Sequence, residues 1–125
     1  MDKKQKSNLT EEEKAIMVDG KTEPPFSGVY NDFYSDGIYV CKACELKLFD
    51  SGSKFNSGCG WPSFDDAIEG SVNRRRDLSL GRIRVEITCA RCEAHLGHVF
   101  EGEEYTDKNT RYCVNSLSLK FITKL

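Results

Sequence analysis

No apolar run in this chain approaches the roughly 18 residues that a membrane-spanning helix needs, so nothing in it reads as a bilayer span. No excess of one charge is present either. The 18 basic and 20 acidic residues leave a net charge of -2, which argues against general affinity for nucleic acid or for an anionic membrane surface. The first residues, MDKKQKSNLTEEEK, lack the apolar core of a secretory signal, and the expected compartment is the cytoplasm, where thiols stay reduced. There is no internal repeat beyond a doubled C-x-x-C, no low-complexity segment and no sign of a second domain. Proline, histidine and tryptophan are scarce, at 3, 2 and 1 residues. Cysteine is not: there are 6 in 125 residues.

Hydrophobic content of 38% and charged content of 30% predict a folded globular chain with a modest core. The length suits one domain, residues 9–125, behind a flexible segment 1–8. Thr10 with Glu13 three residues on forms a capping box, which predicts a helix ending near Val18. Pro24-Pro25 keeps the next stretch extended. Gly37–Val40, Arg82–Ile87, Val99–Phe100, Tyr112–Asn115 and Leu117–Phe121 read as strands, two of them by alternation of apolar and polar residues. Ser63–Ile68 reads as a short helical turn capped by Ser63, and Arg74-Arg75-Arg76 as a solvated loop. Strands joined by turns, with one or two short helices near the start, predict an antiparallel β core.

The six cysteines divide into four and two. Cys41 with Cys44, and Cys89 with Cys92, form two C-x-x-C knuckles, the donor set of a four-thiolate zinc site with Zn–S bonds of about 2.3 Å. Four sulfurs fill the coordination sphere, so the site is read as structural. The 44 residues between Cys44 and Cys89 make it a staple between distant segments. Cys113 lies in Thr110–Ser116; on a strand it would share a face with Arg111, whose charge favours a thiolate, and with Asn115, a hydrogen-bonding group. That environment suits either a nucleophile or a small core residue. Cys59 lies between Gly58 and Gly60, in a setting mobile enough for a resolving thiol. Trp61 is either core or one wall of an apolar substrate pocket. His95 and His98 follow the second knuckle; with the metal sphere already full, they are proton donors or structural residues.

The segments Thr22–Gly28, Gly58–Phe64, Ala94–Phe100 and Arg111–Ser116, with both knuckles in register, resemble in their order the B-type methionine sulfoxide reductases. The resemblance spans about residues 9–122. It implies a mainly β fold with two antiparallel sheets, one or two short N-terminal helices and one structural zinc away from the active site. It also implies reduction of the R epimer of methionine sulfoxide in oxidised proteins, with thioredoxin as reductant, in a cytoplasmic monomer that repairs oxidative damage. The Gly-Cys-Phe-Trp motif of the A-type enzymes is absent. By resemblance, Cys113 is the nucleophile and Cys59 the resolving cysteine that closes a disulfide with it. His95, His98, Arg111 and Asn115 form the polar shell, and Trp61 with Phe100 holds the substrate methyl group. The loop 101–110 departs from the family pattern, so the acid that would orient a catalytic histidine is sought at Glu101 or Glu103. Two other readings stay open on the residues: a zinc-stapled protein-binding module with inert Cys59 and Cys113, and a redox-sensing zinc switch.

Overall fold

A computed structural model describes residues 1–124, without the side chain of Leu80; Leu125, the last residue of the expected domain, lies outside the described residues. Helix α1 (Lys3–Ser7) is capped by Asp2. Helix α2 (Glu11–Met17) starts where its capping box predicts: Thr10 Oγ1 accepts from the Glu13 amide at 3.1 Å, and Glu13 Oε1 accepts from the Thr10 amide at 2.8 Å. Ile16 and Met17 bury its inner face.

Among the described residues, nine strands form two antiparallel sheets, as expected. The smaller has the order β2 (Lys47–Asp50), β1 (Gly37–Cys41), β9 (Leu119–Thr123). The larger runs β3 (Lys54–Phe55), β4 (Ser63–Phe64), β8 (Thr110–Val114), β7 (His95–Glu101), β6 (Arg84–Cys89), β5 (Val72–Asp77). Aromatic rings join the two. Phe49 of the small sheet stacks on Phe64 of the large one, with centroids 4.4 Å apart, and Tyr39 meets Phe64 edge-on at 5.0 Å. All three side chains are fully buried, each contributing roughly 1.5–3 kcal/mol by burial.

Several segments differ from the sequence reading. Ser63–Phe64 is not a helical turn but a short strand between β3 and β8, because Phe64 is drawn into the inter-sheet core and the Ser63 hydroxyl bonds Ser57 at 2.8 Å rather than capping. The triple arginine is not a loop but the exposed edge strand β5. Arg74 pairs with Glu101 at 2.8 Å and Arg75 donates to Glu86 at 2.9 Å. A charged edge blocks pairing with another chain. The strand expected from Leu117 begins at Leu119, since Ser116–Ser118 closes a 3-10 turn.

Two local features of β7 position the site. The pairing with β6 slips between Ile87 and Thr88, so Leu96 is an extra residue in β7. Without that bulge His95 and His98, an odd number of residues apart, would face opposite ways. With it their rings meet edge-on at 5.6 Å. Gly97 touches the neighbouring strand so closely that a Cβ there would overlap the carbonyl of Cys113.

Candidate active site and metal centre

Strand register gathers the polar residues of the large sheet. His98 on β7 lies opposite Cys113 on β8 and Glu86 on β6, and Cys113 lies opposite Ser63 on β4. Two residues along, Phe100 lies opposite Arg111. A cleft of about 170 Å³ opens here, lined by Cys113, Cys59, Trp61, His98, Phe100 and Arg111, with Asn115 also on its wall. Six of the residues read as catalytic or substrate-binding from the sequence, together with Asn115, thus meet in one place. His95 does not line it.

The Cys59 and Cys113 sulfurs are 4.0 Å apart. A disulfide needs about 2.05 Å, so the gap closes by a small side-chain movement. The sequence reading took the glycines around Cys59 as a source of slack. They also shape a turn: Gly58 and Gly60 have φ of +75° and +97°, and the Gly60 carbonyl accepts from the Phe26 amide at 2.7 Å. A Cβ on Gly60 would sit 2.7 Å from Pro25.

The two thiols share their charge. Cys59 is pulled down to about 4, first by the Cys113 S–H, then by the Ser57 and Ser63 hydroxyls, against burial. Cys113 is pushed far up, first by the hydrogen bond it shares with Cys59 and then by burial, although Arg111 favours its thiolate. The pair therefore gives up its first proton readily and holds the second tightly. The two sulfurs thus hold one proton between them, with Arg111 on the Cys113 side of the pair.

Arg111 forms a two-point pair with Glu103, at 2.8 and 3.2 Å, and lies over the Phe100 ring at 4.6 Å. Asn115 is buried; its amide nitrogen donates to the Leu96 carbonyl at 3.0 Å and its oxygen accepts from the Glu23 amide at 3.0 Å. Trp61 Nε1 donates to the Glu23 carbonyl at 3.0 Å. Glu23, from the Thr22–Gly28 segment, also accepts from the Leu117 amide at 3.0 Å, so this one buried residue braces both Trp61 and the end of β8. The sequence reading quoted Glu23 within a motif without seeing that role.

The histidine partners correct the sequence reading. Glu103 is taken by Arg111 and Glu101 by Arg74. The acids that hold the histidines are Asp77 and Glu86: Asp77 Oδ2 meets His98 Nε2 at 2.8 Å, and Glu86 Oε2 meets His95 Nδ1 at 2.6 Å. Asp77 is held far below the usual carboxylate range by the His98 contact and by Ser79, so it only accepts, and His98 Nε2 carries the proton. Burial lowers the pKa of His98, while Asp77 works to raise it. Asp77→Asn should lower it further. If the protonated ring is the acid, the alkaline limb of kcat/KM moves to lower pH and the rate at pH 7.5 falls about tenfold. A pH–rate profile for the variant that coincides with wild type would remove His98 as the acid. An alternating strand places Glu86 two residues from Arg84 on one face, a signal that sequence reasoning could have followed to the adjacent histidine strand.

The four remaining cysteines cluster with all sulfurs within 4.8 Å of one another, three of the residues buried. Cys41–Cys92 and Cys44–Cys89 lie at 3.6 and 3.5 Å. A tetrahedron with metal–sulfur bonds of about 2.3 Å has edges of about 3.8 Å, so the set fits one zinc ion. The knuckles share one conformation. The amide after each second cysteine returns to the first at 2.8 Å, Glu45 to Cys41 and Glu93 to Cys89, with φ of 65° and 64°. Cys41 ends β1 and Cys89 ends β6, so the ion would join the two sheets.

Residues 9–123 match the family model described as the SelR domain. The chain is 49% identical over 121 residues to peptide methionine sulfoxide reductase B5 of Oryza sativa subsp. japonica, covering 96% of this chain and 88% of that protein. It is 51% identical over 118 residues to peptide methionine sulfoxide reductase MsrB of Alteromonas mediterranea, covering 93% and 82%. The MsrB protein of Pseudomonas entomophila is 56% identical over 100 residues, covering 78% and 75%. Among solved structures, the Mis18 'Yippee-like' domain is similar in fold, with a TM-score of 0.58 over 72% of this chain and 98% of that one at 22% identity.

Proposed function

Since the chain belongs to the SelR-domain family, the B-type peptide-methionine (R)-S-oxide reductases, we propose that it reduces methionine-R-sulfoxide in proteins through Cys113 and Cys59. The observation that carries this reading is the pair of sulfurs 4.0 Å apart in a cleft walled by Trp61, with an arginine on the same strand as Cys113.

In the proposed cycle the Cys113 proton passes to Cys59, and the Cys113 thiolate attacks the sulfoxide sulfur. His98 protonates the sulfoxide oxygen, the S–O bond breaks, and the oxygen ends on Cys113 as a sulfenic acid while methionine leaves. Cys59 then attacks the Cys113 sulfur; the hydroxyl leaves with a proton as water and a disulfide remains. Dithiol exchange returns both thiols. Each cycle thus converts one sulfoxide and one external dithiol into methionine, water and one disulfide. Arg111 favours the thiolate, Asp77 holds His98, and Glu23 fixes Trp61 and Asn115 around the substrate. Trp61 and Phe100 supply apolar walls for the methyl group. His95, behind the cleft, buttresses His98 and does not touch the substrate. Zinc at Cys41, Cys44, Cys89 and Cys92 would supply structural cross-linking. Thioredoxin as reductant, a monomeric state and a cytoplasmic location follow from the family reading; no helix among the described residues is long and apolar enough to cross a membrane.

The direct test is turnover of a peptide carrying each sulfoxide epimer, with dithiothreitol, followed by chromatography. Consumption of the R epimer alone is expected. Inertness toward both, or preference for the S epimer, removes the assignment.

A further inference from the structure

The cleft wall carries three guanidiniums, those of Arg82, Arg84 and Arg111. Two are matched by carboxylates: Arg84 meets Asp77 at 3.2 Å and Arg111 meets Glu103 at 2.8 Å. Arg82 forms no ion pair among the described residues, and its side chain is exposed. Arg82 is thus the one guanidinium of the wall without a carboxylate partner among the described residues. Arg111, not Arg82, is the cation that favours the Cys113 thiolate, so the charge of Arg82 is not used by the chemistry derived above. The residue follows a 3-10 turn (Ser79–Gly81), and Leu78 before that turn and Ile83 after it are exposed, at 63% and 69%. A peptide whose oxidised methionine enters the cleft brings its flanking residues to the cleft mouth. Neighbouring residues are then spaced about 3.5 Å apart, within reach of an arginine side chain.

We propose that Arg82 is a specificity residue that pairs with a substrate carboxylate next to the oxidised methionine. The proposal rests on the reductase reading. The carboxylate has two sources, an Asp or Glu side chain beside the methionine, or the terminal carboxylate of a chain that ends in methionine sulfoxide. The arrangement also says which substrates are disfavoured: a lysine in the same position meets a like charge.

The experiment uses blocked pentapeptides with methionine sulfoxide at the centre and Asp, Asn or Lys next to it. A second pair ends in methionine sulfoxide, either as the free acid or amidated. Both kcat/KM in the wild type and binding are measured. Binding is read from the fluorescence of Trp61, the single tryptophan and a cleft residue, in a Cys113→Ser background where nothing is consumed. The Asp peptide should exceed the Asn peptide about three- to fivefold, the range of one exposed ion pair, and the advantage should vanish near 0.5 M salt. Arg82→Gln should bring the Asp-to-Asn ratio to about 1, and Arg82→Glu should turn the preference toward Lys. The second pair shows whether a terminal carboxylate is taken as well. Equal handling of charged and neutral members in both sets overturns the proposal, as does a preference that survives Arg82→Gln or the absence of any Trp61 response. Carboxylate-dependent binding without turnover of any peptide would overturn the reductase reading and leave Arg82 as the binding determinant.

Discussion

Cys113→Ser is expected to lower sulfoxide turnover by at least about a thousandfold, to the background of the dithiothreitol reaction. A serine hydroxyl in the same cleft does not ionise near neutral pH, and the oxygen of the sulfoxide has no other sulfur on β8 to receive it. The competing outcome is informative, because Cys59 shares a hydrogen bond with Cys113 and its own pKa is lowered by that contact. Cys59→Ser should therefore be read beside it. This variant should complete one turnover in a rapid-quench burst, continue with dithiothreitol, and fail to be recycled by thioredoxin, because no second sulfur stands within 4.0 Å to displace water from the sulfenic acid. It should also make Cys113 more acidic. Loss of Cys59 removes the acceptor that holds the Cys113 proton and the negative charge beside it, leaving Arg111 to favour the thiolate. The pH midpoint for alkylation of Cys113 moves down accordingly. An active Cys113→Ser together with a dead Cys59→Ser would exchange the two roles.

Loss of the metal should have the larger effect on the fold. Cys89→Ser is expected to abolish binding of about one zinc per chain and to leave a chain without a cooperative thermal transition, measured by metal analysis and circular dichroism. The magnitude follows from comparison. A four-thiolate site contributes roughly 10–16 kcal/mol in small peptides, while a domain of this size is stable by about 5–15 kcal/mol in total. The location amplifies this, since the ligands sit at the ends of β1 and β6 and the ion ties one sheet to the other. The wild type should keep its zinc through repeated catalytic cycles. Release of zinc during turnover would favour a redox switch, and a zinc-free chain that melts cooperatively at the wild-type temperature would show that the aromatic core alone suffices.

The parts that sequence reasoning resolved are those set by short-range rules. The Thr10–Glu13 capping box and the two knuckles each depend on residues a few positions apart, and each lies where it was expected; the strand expected over Arg82–Ile87 is instead Arg84–Cys89, with Ile83 exposed and Glu86 buried beside Ile87. What it missed depends on pairing across strands. The orienting acids were sought after His98 along the chain, at Glu101 and Glu103, but they stand on other strands of the sheet, Glu86 on the neighbouring β6 and Asp77 one strand further on β5. Ser63–Phe64 was read as a helical turn because its local signals are those of a cap, and only the partners β3 and β8 make it a strand. The nearness of Cys59 to Cys113 also comes from that strand, which places the loop before it against β8. The bulge at Leu96 leaves no mark in composition, yet it decides that two histidines three apart share a face.

The bare backbone at Gly97 sets a limit on how the sequence can drift. Its missing side chain is the space into which the Cys113 carbonyl fits, so a Cβ there has no room. A rim position such as 82 is free to vary and could retune which substrates are preferred. Position 97 is closed to every other amino acid, because even a single methyl group would lever β8, and with it the sulfur of Cys113, away from His98. A coding change there would silence the enzyme without touching any residue that takes part in the reaction.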